Sequence, residues 1–485
     1  MTRILFLHRN SENLGISYLS SCLKKAGHKT ELLFDPDGGE YEYPILKRFE
    51  FFGYKQIDEG IEKFKPDLIL FSSMTNLFPW VLKYASYIKK KYNLTIGVGG
   101  IHPTVAQDYV LSKPFVDFIC VGEGEEAIVE VANTFDGKFH FEDIKNISYK
   151  KNGQIIKNKL RPLIDLNKLP FPDKDLFYKF GTFSYRYYLM TSRGCPFVCS
   201  YCVNHQLRQI YKGLGNYIRR RAPKNVIDEL IWAKKRYNFK EVFFYDDIFT
   251  MDEKWLQEFV DELSKLPFKF KYKCLVSTTC VTEGIAKLLK KSGCIDVDIG
   301  VESGSERIRK EIYNKTGTNK QILNATAVLK KYGIRVCTLN IIYAPTETPE
   351  DMFETFSLNY QIKPSGAVVT SLYPFPNTKI FERCKEEKLI NTNSSEAIFT
   401  GEGSYKKDII FKHPYENIGK RIQIFLPLFI KLPKWTHYFM FKIPPIKLFR
   451  ILIIPLLTSP HNAVIKISEF FKMFLISYIY YKKNK

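Results

Sequence analysis

Between Thr191 and Cys202 the sequence reads Thr-Ser-Arg-Gly-Cys-Pro-Phe-Val-Cys-Ser-Tyr-Cys, which places Cys195, Cys199 and Cys202 at CxxxCxxC spacing. No other stretch constrains the fold as tightly. The apolar run Tyr187–Met190 just before it reads as a strand, so the thiols sit on a loop leaving a strand end. Gly194 and Pro196 shape a tight turn around the first Cys, which lets backbone wrap a bulky group. Thiolates are soft ligands that suit zinc or an iron–sulfur cluster. Zinc closes a structural site with a fourth ligand, for which His205 stands close by. A 4Fe–4S cube held by three thiolates keeps one iron with an open position, where a substrate or cofactor can bind. Three core thiols without a metal are the plain alternative.

Short apolar runs alternate with amphipathic stretches on both sides of this loop. In residues 1–150, strands are expected over Arg3–Leu7, Lys29–Phe34, Asp67–Phe71, Leu94–Val98 and Asp117–Val121. Helices are expected over Gly15–Ala26, Pro79–Lys91 and Glu125–Phe135. This alternation predicts an α/β domain, a doubly wound parallel sheet. Its ligand would lie at the C-terminal strand ends, where loops 8–14, 72–76, 99–104 and 122–125 are rich in small residues. Gly122-x-Gly124-x-x-Ala127 matches a dinucleotide fingerprint formally. It follows the last strand rather than the first, and Glu123, Glu125 and Glu126 would repel a pyrophosphate.

Residues 151–186 read as a linker: Asn152-Gly153 predicts a hairpin, and Leu169-Pro170-Phe171-Pro172 an extended connector. Over 187–390 strands are expected at Tyr187–Met190, Glu241–Tyr245, Tyr272–Ser277, Asp296–Val301, Arg335–Tyr343 and Ala367–Tyr373. Six such units make a partial (β/α)6 barrel with polar strand ends around a common mouth.

The cysteine loop and the strand-end segments after it resemble those of the radical S-adenosylmethionine (SAM) enzymes. The resemblance implies that Cys195, Cys199 and Cys202 hold a 4Fe–4S cluster whose open iron is chelated by SAM. An electron from the cluster then cleaves SAM to a 5′-deoxyadenosyl radical. It further implies that Tyr201 packs near the adenine and that Asp246 and Asp247 meet the amino group of SAM. Glu302 and Ser303 would contact the ribose, and Ala344, Pro345 and Glu347 the adenine. Ala344 stands where that family usually has Gly. Residues 1–150 resemble the cobalamin-binding domain that precedes many such cores, on Gly99-Gly100-Ile101-His102-Pro103-Thr104 and Val121-Gly122-Glu123-Gly124-Glu125. By that resemblance Ser72, Ser73, Gly99, Gly100, His102, Gly122 and Glu123 cradle cobalamin. The Asp-x-His-x-x-Gly motif, whose His ligates cobalt from below, is absent, and His8 lacks its flanking Asp and Gly.

The resemblance thus implies a cobalamin-dependent radical SAM enzyme, with methylation of an unactivated carbon as the reaction. One SAM would methylate reduced cobalamin, and a second would yield the radical that activates the substrate. Radical cyclisation or rearrangement is the alternative within the family. A tRNA methylthiotransferase would suit the net charge of +22. Such relatives carry a second cysteine trio in the N-terminal domain, where this chain has only Cys22 and Cys120, so nucleic acid is not the expected partner. The non-enzymatic alternative is a zinc-stabilised membrane- or nucleic-acid-binding protein. The expected partners are a small-molecule or lipid-like substrate and an external one-electron reductant of the flavodoxin or ferredoxin type.

Ten cysteines in 485 residues make no disulfide scaffold, and Met1-Thr2-Arg3 leads straight into an apolar strand. A reducing cytoplasm is the expected compartment. Residues 391–485 form a basic, apolar, helical segment: past Lys420 only Glu469 is acidic. Prolines cut it short of the roughly 20 apolar residues a spanning helix needs. It is expected either to cap the barrel or to lie in a membrane interface through 420–485. Ala463–Tyr480, with Lys466, Glu469 and Lys472 opposite an apolar face, is the helix expected there.

Overall fold

A computed structural model of the chain describes residues 1–36, 52–182, 185–402, 410–440, 442–444, 472–477 and 479–482. Among the described residues the strands form two large sheets and one short ladder. The first sheet holds β1 (Arg3–Arg9), β2 (Lys29–Asp35), β3 (Leu68–Ser72), β4 (Thr95–Gly99), β5 (Phe118–Cys120), β6 (Ile147–Lys151) and β7 (Gln154–Lys157), in the order β2-β1-β3-β4-β5-β6-β7. β1 to β5 are parallel. Their near-continuous burial fits a sheet covered on both faces. The expected hairpin is present: β6 and β7 run antiparallel around Asn152 and Gly153, both at positive φ. Because β6 pairs with β5, this hairpin extends the first sheet to Lys157, past the boundary expected at 150. The connector that follows is tied back to the first domain. Ser20 Oγ donates to Asp173, and Ser21 Oγ donates to the Phe171 carbonyl.

The second sheet comprises β8 (Arg186–Leu189), then, after the ladder of β9 (Ser192–Arg193) with β10 (Arg219–Arg220), β11 (Glu241–Phe244), β12 (Lys271–Val276), β13 (Cys294–Glu302), β14 (Arg335–Ile342) and β15 (Gly366–Ser371). Its order is β15-β14-β13-β12-β11-β8, all parallel, which is the open six-stranded barrel expected. Helices start where the sequence supplies caps. Thr318 and Gln321 form a reciprocal capping box, as do Thr348 and Asp351, the latter with Pro349 in the first turn.

The barrel-cap expectation for the C-terminal segment holds for its first long helix. Helix Glu416–Phe429 packs on β15, with Ile422, Phe425 and Leu426 buried and Gln423 Nε2 donating to Ser371 Oγ. The helix expected over Ala463–Tyr480 lies largely outside the described residues. The last described turns dock on the first domain. Tyr481 is buried, its hydroxyl accepts from the Phe34 amide, and it donates to the Phe34 carbonyl.

Candidate active site at the barrel mouth

The cysteine loop leaves β8 at the mouth. Gly194 adopts φ +94°, and a Cβ there would lie 2.3 Å from the Tyr217 carbonyl, so only Gly fits this turn. The loop is held from beneath by residues 308–314, which follow β13. Ser200 donates its amide to the Tyr313 carbonyl and its hydroxyl to that of Ile312. Asn314 Nδ2 donates to the Val198 carbonyl, and Tyr201 meets Tyr313 edge-on at 5.1 Å. Tyr201 therefore sits between Cys199 and the β13 end, beside Glu302.

All three loop cysteines are free; Cys199 is buried, and Cys195 and Cys202 are half-buried. Burial pushes Cys195 to about 12 and Cys202 to about 11. Thiols held so high become thiolates only when a metal supplies the opposing charge. Among the described residues no group of three or more His, Cys, Asp and Glu side chains converges on a single ion. A closed zinc site with His205 needs such convergence. A cubane does not, since each thiolate takes its own iron. The donor set and the glycine turn fit a cluster.

Asp246 follows β11 and is wholly buried. Its Oδ1 accepts from the Thr191 amide at 3.0 Å, the Thr191 hydroxyl at 2.9 Å and the Ser192 hydroxyl at 2.5 Å. Half of this carboxylate is thus a strut for the start of the cysteine loop. Oδ2 is buried with no hydrogen-bond partner among the described residues, and this is the atom that fits an ammonium. Asp247 accepts from Asn204 Nδ2, which lies just past Cys202. Burial raises both carboxyls above their ordinary range.

Glu302 closes β13 at φ +65°, a costly conformation for a residue with a side chain. The β13–β14 register slips between Gly300 and Glu302, and a Cβ at Gly300 would lie 2.2 Å from Glu302 Oε1. The bulge and the missing Cβ together let the carboxylate fold over the strand end, 3.6 Å from Lys315 Nζ. Ser303 does not share this position. Its side chain is buried, with Oγ facing the Thr355 hydroxyl and accepting from the Ser305 amide, so the ribose expectation rests on Glu302 alone. At the end of β14, Tyr343 takes φ +70° and Thr346 φ +64°, so the sharp backbone expected of Gly is adopted around Ala344 instead. Glu347 Oε2 accepts from the Ala344 amide at 3.0 Å, while Oε1 is buried and unpartnered among the described residues. Burial raises the Glu347 carboxyl to about 8.

The loops at the C-terminal edge of the first sheet face this mouth. Glu123 accepts from Arg193 of the cysteine loop at 2.9 Å and from Arg219 of β10 at 2.6 Å, and Arg193 also reaches Glu125. The Glu123 amide donates to Tyr211 Oη, and a Cβ at Gly122 would lie 1.8 Å from that oxygen. Asn377, after β15, donates to the Val105 carbonyl. Five of the seven residues expected to cradle cobalamin are therefore committed to protein contacts, Ser72 among them by accepting from Asn13 Nδ2 at 3.2 Å. Gly122 and Glu123 are engaged by the barrel. Ser73 is buried and donates to the Met74 carbonyl. His102 is buried on Phe78 and Thr75, with its pKa pushed down to about 3 by burial. Ser72, Gly99 and Gly100 are half-buried on the rim. His8 is likewise buried and pushed down to about 4, edge-on to Phe177. Sequence reasoning missed Arg193, Tyr211 and Arg219, because nothing local marks a residue that pairs across domains.

The Radical SAM superfamily model matches residues 189–358, and the B12 binding domain model matches residues 8–132. The chain belongs to the cobalamin-binding radical SAM enzymes. Its cofactors are a 4Fe–4S cluster, SAM and cobalamin. This radical SAM enzyme is 28% identical over 392 residues to an uncharacterized methyltransferase of Pyrococcus horikoshii, covering 78% of this chain and 80% of the relative. It is 25% identical to the anaerobic magnesium-protoporphyrin IX monomethyl ester cyclase of Cereibacter sphaeroides, over 79% of this chain and 64% of the relative. The solved structure of OxsB, a cobalamin-dependent SAM radical enzyme with aqua-cobalamin and SAM bound, shares the fold. The TM-score is 0.70 at 17% identity, with 98% of this chain and 76% of that one covered.

Proposed function

We propose that the enzyme transfers a methyl group to an unactivated carbon of a small, partly apolar molecule. The observation that carries this reading is the clamp of Glu123 and Glu125 on Arg193. It fixes the ligand edge of the first domain directly over the cysteine loop, so both address one space. When bound, the cluster with SAM supplies a radical at carbon, and cobalamin supplies the methyl group. The chain's own part is positional. Asp246 and Asp247 hold the loop and offer an acceptor to an ammonium, Glu302 is aimed by its bulge, and half-buried Tyr201 with buried Tyr313 excludes water. Similarity to a protein named as a methyltransferase supports methylation, and similarity to a cyclase supports ring closure as the second reading. Anaerobic purification should give iron, sulfide and a corrinoid, and SAM labelled in its methyl group should pass the label to product. Product formed without label overturns methylation in favour of cyclisation. An external one-electron reductant of the flavodoxin or ferredoxin type completes the cycle.

We further propose that the enzyme contacts a membrane surface. No helix among the described residues is long and apolar enough to cross one. Trp435, Tyr438 and Phe439 are 73%, 64% and 47% exposed, on a turn flanked by Lys431, Lys434 and Lys442. The turn is anchored by buried Met440 and by His437, whose ring lies edge-on to Phe356 and Tyr360 at 4.8 and 4.7 Å. Exposed Trp and Tyr beside lysines suit an anionic lipid interface. The full chain should sediment with anionic vesicles, and a W435A/Y438A/F439A variant should lose most of that binding. Deleting 420–485 is a poor test, because it strips helix Glu416–Phe429 from β15. A full chain that stays in the supernatant ends the proposal.

A further inference from the structure

The two faces of the second sheet differ. Positions turned towards the helices, such as Val242, Phe244, Cys274, Val297, Ile299 and Val336, are buried. Alternate positions of β12 and β14 line the concave face and stay half-buried or exposed, and Val368 of β15 is 43% exposed, whereas Arg186, Glu241 and Asp296 at the lower end of that face are buried. The concave face is therefore an open trough rather than a filled barrel core. Most of it is apolar or aromatic, with Phe243, Leu275, Leu339 and Ile341 among its residues.

Charged side chains interrupt it: Arg186 pairs with Glu241 and Arg335 with Asp296 on the same alternate positions, and a further pair stands beside them. Lys273 of β12 and Asp298 of β13 meet there, with Nζ 2.7 Å from Oδ1 and both side chains 13% exposed. The register sets Lys273 between Phe243 and Asp296, and Asp298 between Leu275 and Cys337, so Lys273 and Asp298 meet diagonally. Lys273 Nζ lies 5.6 Å from the centre of the Phe243 ring. Burial works to lower the Lys273 pKa, and Asp298, aided by Cys337 and Asp296, outweighs it and holds the ammonium charged.

Such a pair is a poor way to stabilise a sheet. Desolvating two charges costs as much as their attraction returns, and apolar residues of similar size would serve as well or better. The buried outer face already fixes the register. An ammonium has three donors and a carboxylate about four acceptor sites, so one mutual contact leaves both with capacity to spare. Asp298 lies four residues before Glu302 on β13, about 13 Å further down the strand from the mouth.

We propose that Lys273 and Asp298 form a substrate-binding site at the floor of the trough, which takes a neutral group able to both accept and donate hydrogen bonds. A hydroxyl or a primary carboxamide has that chemistry. A carboxylate would be repelled by Asp298 and a cation by Lys273. Leu275, level with Asp298, and Leu339, one step nearer the mouth, suit an apolar body. The substrate class is then an elongated apolar molecule that carries its polar group at the end remote from the reacting carbon. This rests on the reading of the mouth as the radical site.

The test uses four straight-chain probes of equal length, ending in hydroxyl, carboxamide, carboxylate or ammonium, titrated calorimetrically into the full chain. The hydroxyl and carboxamide probes should bind about tenfold or more tightly than the charged ones. The comparison of the first two tells which neutral group is preferred. In K273M/D298L that preference should disappear. This apolar pair should fold, because such replacements are neutral or stabilising, and its Tm verifies that. D298N, which removes one of the two carboxylates beside the Lys273 ammonium, should shift selectivity towards the carboxylate probe. Equal binding of all four probes by the wild type, or unchanged selectivity in a folded K273M/D298L, overturns the proposal. Iron and sulfide content of the wild type reads the radical site separately, so failure there is distinguishable from failure at the floor.

Discussion

Cys199→Ala is expected to abolish both the cluster absorbance near roughly 400 nm and SAM cleavage, because each thiolate fixes its own iron and no fourth thiol is at hand. The variant should still fold. The loop is tied by Ser200 to residues 312 and 313 and by Asn314 to residue 198, none of which depends on the thiol. Removing a buried sulfur leaves a small cavity, which costs about 1–2 kcal/mol at most. A cooperative thermal transition, lowered by no more than a few degrees from that of the cluster-free wild type, together with lost iron would separate chemistry from folding. Retained cleavage in the variant would remove Cys199 from the ligand set.

The second large effect is in pH dependence. Glu347 is fully buried and held at about 8, against an ordinary value of 4.5, so the folded chain binds its proton over a range where the unfolded chain has released it. Stability from this group is complete below 4.5 and is lost as pH rises through 8. Between pH 6 and pH 9 the wild type should lose about 2–3 kcal/mol by this route. Glu347→Gln keeps the shape and the acceptor for the Ala344 amide but cannot ionise, so its stability should be flat over the same window. Denaturant unfolding at several pH values measures the difference. A wild type as flat as the variant would mean that Glu347 is ionised in the fold, with a cation beside it.

Much of this architecture was legible because its signals are local. Strand–helix alternation set both sheets, with strands of the second found within a residue or two of their expected bounds. The hairpin at Asn152-Gly153 was also read correctly, but its membership of the first sheet depends on pairing with β5, which no local pattern encodes. The acids at strand ends were found as a set, yet their separate roles were not. Asp246 divides its two oxygens between strut and site, and Ser303 turns inward. Lys273 and Asp298 did leave a trace that went unused. Charges in the middle of central parallel strands run against the apolar continuity such strands need.

Sequence alone determined the chemistry the chain can support: three thiols at a spacing that wraps a cluster, and carboxylates at successive strand ends of an α/β barrel. Those features depend on residues within a few positions of one another, and backbone periodicity carries them into the fold intact. Tertiary structure alone decided which groups remain available. Glu123 is held by Arg193 and Arg219, His102 is packed on Phe78, and Lys273 meets Asp298 across neighbouring strands. Each of these depends on a partner distant in the chain, and the free energy that selects it comes from burial and pairing summed over the whole packed molecule.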